Sequence, residues 1–208
     1  MKSLIAFLSV LIISCASYAG EEDLYAPVPP ADSSFVRTVN MMDDKAAKID
    51  IDGSSFPTGE NPQVSNYVVI KQGSHTVSVA GKGQPTTIEA KKYYTVAVMK
   101  DGTVKVMSDA QIEDPSKAMI YFYNFSDLAA ATLSVPSHKA KVFENVKASE
   151  SASRVINAVA LDVAIASAEG DVAKVDKVEL KRQSGTSVFL MGEKGHYTAF
   201  AVMNKVAQ

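Results

Sequence analysis

The residues able to do metal or acyl chemistry in this 208-residue chain are few: three histidines, one cysteine, and scattered carboxylates and serines. His75, His138 and His196 stand far apart, and none has a second His or Cys at ligand spacing, so a zinc-type site is not expected. Each falls at a turn or strand rim, where a solvated imidazole is the default. Asp50-Ile51-Asp52-Gly53, with Asp43 and Asp44 nearby, is the densest acidic run. A calcium loop needs alternating oxygen ligands around a sharp glycine turn. This run is too short for one, and Asp50 and Asp52 also read as the wet face of a strand. A serine nucleophile needs a base and an orienting acid. There is no Gly-Xaa-Ser-Xaa-Gly elbow and no Asp-Xaa-Xaa-His partner for an SGNH-type serine block. The residues three before the histidines are Gln72, Val135 and Glu193. No glycine-rich phosphate cradle precedes a helix. The expectation is a chain without catalytic residues, metal or cofactor.

Composition narrows the class further. With 47% hydrophobic and 21% charged residues the chain is ordinary globular protein, and a net charge of −2 leaves no basic footprint for nucleic acid. Residues 1–19 read as an export signal. Met1-Lys2-Ser3 is a positive start, Leu4 to Ile13 is an apolar run too short to span a bilayer, and Ser17-Tyr18-Ala19 places small residues for cleavage after Ala19. Losing Lys2 takes the charge from −2 to −3. A competing reading makes Ile12-Ile13-Ser14-Cys15 a lipobox with Cys15 lipidated. The expected location is the periplasm, where disulfides are permitted. Cleavage after Ala19 leaves no cysteine to form one, so the fold must hold by apolar burial.

The elements that would position any site come as a repeat. Val36 falls on Ile120, 84 positions on, and Asn40 on Asn124, Ile49 on Leu133 and Ile51 on Val135 at the same offset. Val77 and Val79 then fall on Leu161 and Val163. Tyr94-Thr95 matches Tyr197-Thr198, and Ala97-Val98-Met99 matches Ala201-Val202-Met203 at offset 104, which implies insertions totalling 20 residues in the second copy. Short β-branched and apolar runs broken by Gly, Asp and Pro fill both copies.

The expected fold is all-β: two tandem immunoglobulin-like β-sandwich domains, 34–110 and 118–208, joined by a linker at 111–117 and preceded by an extended Pro-rich arm at 20–33. About seven strands are expected in the first copy, whose closing strand, Val104 to Met107, lacks a counterpart in the second. Gly53 to Pro62 reads as a loop. Tyr67-Val68-Val69-Ile70 reads as a buried strand. Ser149 to Asn157 is the one place suited to a helical turn.

A sandwich strand needs one apolar face, yet Ala118 to Phe125 has two. Met119, Tyr121, Tyr123 and Phe125 line one face, and Ile120 and Phe122 the other. In the first copy Phe35, Arg37 and Val39 share a face opposite Val36. The spare face calls for a cover: the other domain, the arm or a partner protein. Tyr and Arg are favoured at interface centres. Phe35, Arg37, Tyr121 and Tyr123, with Leu24, Tyr25 and Pro27 of the arm, are therefore the partner-binding candidates. The alternative is a carbohydrate-binding module. In a chain with no Trp, only Tyr93-Tyr94 and Tyr121-Tyr123 could stack on sugars.

Leu24-Tyr25-Ala26-Pro27…Pro30 followed by Ser33-Ser34-Phe35-Val36-Arg37…Asn40 resembles the opening of the AlgF family of alginate biosynthesis proteins. Tyr93-Tyr94-Thr95 and Asn124-Phe125-Ser126 are similar to it as well. Ala26 stands where the family has Gly, Thr38 where it has Val, and Tyr121 opposite Arg37 in the second copy. The resemblance implies a non-catalytic periplasmic adaptor in the O-acetylation of an exported polysaccharide. Its implied partners are SGNH-type acetyltransferases and a membrane-bound acyltransferase; the polysaccharide itself is the partner of the alternative, carbohydrate-binding reading.

Overall fold

The computed structural model describes residues 29–42, 48–56 and 64–207. The first half forms β1 (Ser33–Asn40), β2 (Ile49–Ile51), β3 (Ser54–Phe56), β4 (Val68–Lys71), β5 (Gly73–Val79), β6 (Lys82–Ile88), β7 (Tyr93–Val98) and β8 (Val104–Asp109). The second half forms β9 (Ala118–Ser126), β10 (Ala130–Val135), β11 (Ala140–Lys147), β12 (Glu150–Ile156), β13 (Ala160–Ser167), β14 (Gly170–Glu179), β15 (Gly185–Glu193) and β16 (His196–Met203). The sheets run β4-β1-β7-β8 and β3-β2-β5-β6, then β12-β9-β15-β16 and β11-β10-β13-β14. Each half is a β-sandwich of two four-stranded sheets, and the second repeats the strand order of the first strand for strand. Among the described residues no helix is long and apolar enough to cross a membrane.

Alternation with period two decides which side chains enter which layer. Even-numbered Val36, Tyr94, Val96 and Val98 meet Ile49, Ile51, Val77 and Val79 in the first core. Ala118, Ile120, Phe122, Val188 and Leu190 meet Leu133, Val135, Val163 and Ile165 in the second. The odd-numbered residues of the same central strands form a third cluster: Val39 and Ala97 against Met119, Tyr121, Tyr123, Phe125 and Phe189. Sheets β4-β1-β7-β8 and β12-β9-β15-β16 therefore pack face to face, in a stack of four sheets with three apolar seams. In each of these two sheets the central pair is parallel, β1 with β7 and β9 with β15. Strands buried on both faces read as continuous apolar runs, which accounts for the two-faced Ala118 to Phe125.

Several expectations are corrected. Each copy has eight strands, because Ser54–Phe56, expected as loop, pairs with β2. The turn between them, Asp52-Gly53, has φ of 51° and 78°, the left-handed pair a two-residue hairpin requires. The counterpart of β7 is β15, since each pairs in parallel with the first strand of its copy. Val36 opposes Tyr94 and Ile120 opposes Thr186, an offset of 92 where the identities suggested 103. β16 is then the partner of β8, so the closing strand does recur. The identities between β7 and β16 arose because alternating strands draw on the same few residues. Ile49 pairs with Val79 and Leu133 with Ile165, so β5 and β13 match at 86, two residues from the expected offset. A slip of two keeps the same face inward and leaves the pattern looking intact. Glu150–Ile156 is strand, not helical turn; the one short 3-10 turn among the described residues is Pro136–His138. β4 is an edge strand with Val69 exposed, although Tyr67 beside it is buried.

Candidate functional site

At the centre of the seam between the sandwiches lies Arg37, 1% exposed and the largest fully buried side chain among the described residues. Strand β1 aims it there because residue 37 is odd in a strand whose even residues fill the first core. Its Nε donates to Thr95 Oγ1 (2.9 Å). Its Nη1 donates to Asn204 Oδ1 (2.7 Å), and its Nη2 to Tyr123 Oη (2.9 Å) and Ser187 Oγ (2.8 Å). The guanidinium lies 4.7 Å from the Tyr67 ring centroid and within 5.5 Å of those of Tyr123 and Phe189. Those rings supply cation–π attraction on desolvated ground.

The hydroxyls pass the charge on to Asp109 at the end of β8. Thr95 Oγ1 donates to Asp109 Oδ2 (2.6 Å), as does Tyr67 Oη (2.8 Å), and Tyr123 Oη donates to Oδ1 (2.6 Å). Ser187 Oγ donates to Asn204 Oδ1 (2.8 Å). Every donor direction is consistent, from cation through hydroxyls to carboxyl and amide oxygens. No buried side-chain polar atom among the described residues lacks a partner. Burial disfavours the charge on Arg37, but Tyr123, Tyr67 and Asp109 outweigh it and hold the guanidinium charged beyond its ordinary range. Burial pushes the Tyr67, Tyr121 and Tyr123 hydroxyls above their usual range, Arg37 pulls them back in part, and Asp109 pushes them further up.

The cluster belongs to both halves. Arg37, Tyr67, Thr95 and Asp109 come from the first sandwich; Tyr123, Ser187 and Asn204 come from the second. Thr95 and Ser187 are repeat equivalents: each opposes residue 37 or its counterpart 121 in the parallel pair. Around the cluster, Tyr123, Phe125 and Phe200 stack on Phe189. The C-terminal tail crosses back to the first sandwich: Tyr67 N–H donates to Lys205 O, and Ala207 N–H to Tyr67 O. Tyr121 Oη reaches Ala110 O (2.6 Å). At the far end of the seam Lys100 pairs with Glu193 (2.9 Å), both half exposed and worth little energetically.

The candidates fare differently. Arg37, Tyr121 and Tyr123 are buried between the sandwiches, so the cover for the spare face is the other domain and they are not a free docking surface. Phe35 is partly exposed and stacks on Tyr93 at 4.4 Å. Leu24, Tyr25 and Pro27 lie outside the described residues. Tyr94 is buried too, so of the two tyrosine pairs proposed for sugar stacking only Tyr93 keeps a partly open ring. His75 places Nδ1 against Asp52 (2.6 Å) and Nε2 against Lys71 O (2.8 Å), which makes Asp52 a turn-capping residue. Asp43 and Asp44 lie outside the described residues, and no group of three His, Cys, Asp or Glu able to hold a metal occurs among the described ones. Sequence reasoning missed Tyr67, Thr95, Asp109, Ser187 and Asn204. Thr95 lies in the family-like Tyr93-Tyr94-Thr95 segment but was given no role there; the others stand in no motif, and only the unusual Arg on an apolar face pointed to the cluster.

The tyrosines make stability sensitive to alkali. In the unfolded chain they ionise near pH 10. In the fold, burial holds Tyr67, Tyr121 and Tyr123 above that value. Their contribution is therefore complete below about pH 10 and lost as pH rises through the folded values, at about 1.4 kcal/mol per pH unit for each tyrosine. Urea midpoints measured from pH 8 to 11 are expected to fall steeply above pH 10, and less steeply in Tyr123→Phe. A slope unchanged by that substitution would contradict the assignment.

Fold and cluster together define a tandem β-sandwich protein whose two halves are locked by a buried, fully paired arginine. A family model described as "Alginate O-acetyl transferase AlgF" matches residues 7–187, and the chain belongs to that AlgF family. It is 26% identical to the alginate biosynthesis protein AlgF of Pseudomonas putida, over 99% of this chain and 95% of that one. It is 24% identical to the AlgF of Pseudomonas fluorescens, over 92% and 87%. A solved structure of the C-terminal domain of AlgF from P. aeruginosa shares 24% identity, covering 43% of this chain and 99% of that chain, with a TM-score of 0.39.

Proposed function

We propose that this chain is a non-catalytic adaptor that serves the O-acetylation of alginate in the periplasm. It would hold SGNH-type acetyltransferases, and a membrane-bound acyltransferase, in working proximity. Family membership supports the pathway. The adaptor reading rests on one observation: the buried polar cluster around Arg37 joins the two halves of the molecule. Arg37, Asp109 and their hydroxyl partners spend their hydrogen bonds on one another. A nucleophile needs a free base beside it, and the ring nitrogens of His75 face Asp52 and Lys71 O, with no serine. The acyl transfer that the family description names is then carried out by the partners. The leader-like pattern of residues 1–19 in the sequence supports the compartment.

The test uses the chain from Gly20 onward. Titrated with a purified SGNH-type acetyltransferase it is expected to bind saturably, and given an acetyl-ester donor alone it is expected to turn nothing over. Ester turnover by the lone protein, abolished by one Ser→Ala change, would overturn the reading. Tight binding of alginate oligosaccharides without enzyme binding would move it to the carbohydrate-binding class.

A further inference from the structure

We propose that the protein's own Pro-rich arm, residues 21–28, docks in the tyrosine-lined cleft at one end of the domain seam, with the Leu24-Tyr25 pair as its anchor. The inference stands apart from the adaptor reading. It concerns what fills a site within the chain and predicts the same result whichever partner the protein serves.

The cleft measures 270 Å³ and is lined by Tyr67, Tyr93 and Tyr121, with Gln111, Gln183 and Lys205 at its rim. Both sandwiches contribute to it, so it exists only while the seam is closed. Its aromatic wall is rigid: the Tyr93 ring stacks on Phe35 and meets the Tyr67 ring edge-on at 5.1 Å. Tyr67 and Tyr121 are buried, with their hydroxyls on Asp109 and Ala110 O, so they close the floor of the cleft and Tyr93 is its partly open ring. The volume lies below the roughly 300–1,000 Å³ of small-molecule pockets and suits the anchor of a peptide.

Three observations select the arm as occupant. The first is where the described chain begins. Pro30 O accepts from Ser33 N–H, Ser33 O accepts from Lys91 N–H, and the side chain of Gln111, on the cleft rim, donates to Lys91 O. The arm thus leaves the fold three hydrogen-bonded steps from the cleft. Eight extended residues at about 3.1 Å each span about 25 Å, enough to cross it. The second is chemistry. Ala26-Pro27-Val28-Pro29-Pro30 favours an extended polyproline conformation. Such segments seat on aromatic-lined grooves because little order is lost on binding. Leu24 and Tyr25 are the apolar side chains of the arm that most need a cover. The third is charge. Glu21-Glu22-Asp23 precede the anchor, and Lys205 and Lys91 stand at or beside the rim. A tether this short also gives the arm a millimolar effective concentration over any untethered competitor.

The experiment compares the chain from Gly20 onward with its Leu24→Ala/Tyr25→Ala variant by amide NMR. Both changes lie outside the sandwiches, so the fold itself is not at risk. Shifts are expected at Gln111, Ser184, Gly185 and Lys205, and none at the distant hairpin glycines Gly53 and Gly170. A peptide of residues 20–31 added to the variant is expected to move the same signals back. In a second measurement, Tyr25→Trp places one indole in a Trp-free chain, and its emission is expected to lie to the blue and resist acrylamide. Unmoved cleft amides with solvent-like emission would overturn the proposal. A shift that grows with protein concentration as the mass doubles would overturn it in favour of a neighbouring copy. Cleft signals that move only when an acetyltransferase is added would overturn it in favour of a partner.

Discussion

Arg37→Ala is expected to destabilise the protein by about 3–5 kcal/mol, the range for removing one member of a buried charged pair. The truncation leaves Asp109 in a seam where it is 6% exposed, with its countercharge gone. It also strips Asn204 Oδ1 and the Tyr123, Thr95 and Ser187 hydroxyls of a donor. The form of the loss is as informative as its size. Only the seam is damaged, and each sandwich keeps its own core. Urea unfolding is therefore expected to split from one transition into two as the halves lose their coupling. Arg37→Lys is not expected to rescue, because an ammonium cannot reproduce the planar fork that serves four acceptors at once. A double-mutant cycle with Asp109→Ala should be strongly non-additive, since the two residues share Thr95 and Tyr123 as bridges. Additive losses, or a single unshifted transition in Arg37→Ala, would show that the cluster does not hold the halves together.

A second large effect is expected of Phe122→Ala, for a different reason. Phe122 is 0% exposed and stacks on Phe143 with ring centroids 6.4 Å apart, inside the second core and away from the seam. Large-to-small changes of this kind cost about 3–5 kcal/mol, through lost transfer energy plus the cavity left behind. Here the loss falls on the second sandwich, whose unfolding should move to lower urea while the first sandwich keeps its own limit. The surviving half then exposes Val39, Ala97 and Met107, formerly covered in the seam. Dye binding to that apolar face is expected at intermediate urea. If Phe122→Ala costs less than 1 kcal/mol, the second core is not packed as described.

Together the two substitutions separate roles that the sequence presents as one pattern. Arg37 and Phe122 both sit in a first strand of a repeat, one position apart in parity once the copies are aligned. One faces the polar cluster inside the seam between the sandwiches, and the other faces the apolar core of a single sandwich. Alternation tells which residues share a face, because side chains on a strand point up and down in turn whatever lies above or below. It does not name what a face meets.

The chain's own order of residues settled the all-β character, the duplication, the two-faced character of β1 and β9, and the oddity of an arginine on an apolar face, since each depends on neighbours within a few positions. The tertiary structure decided the rest. It showed that β15 and not β16 repeats β7, because strand identity lies in pairing and not in composition. It showed that the spare faces cover each other. It brought Arg37 to Tyr123, Ser187 and Asn204, which lie 86, 150 and 167 positions away. No local periodicity carries information across such distances; only the packing of one finished sandwich on another does.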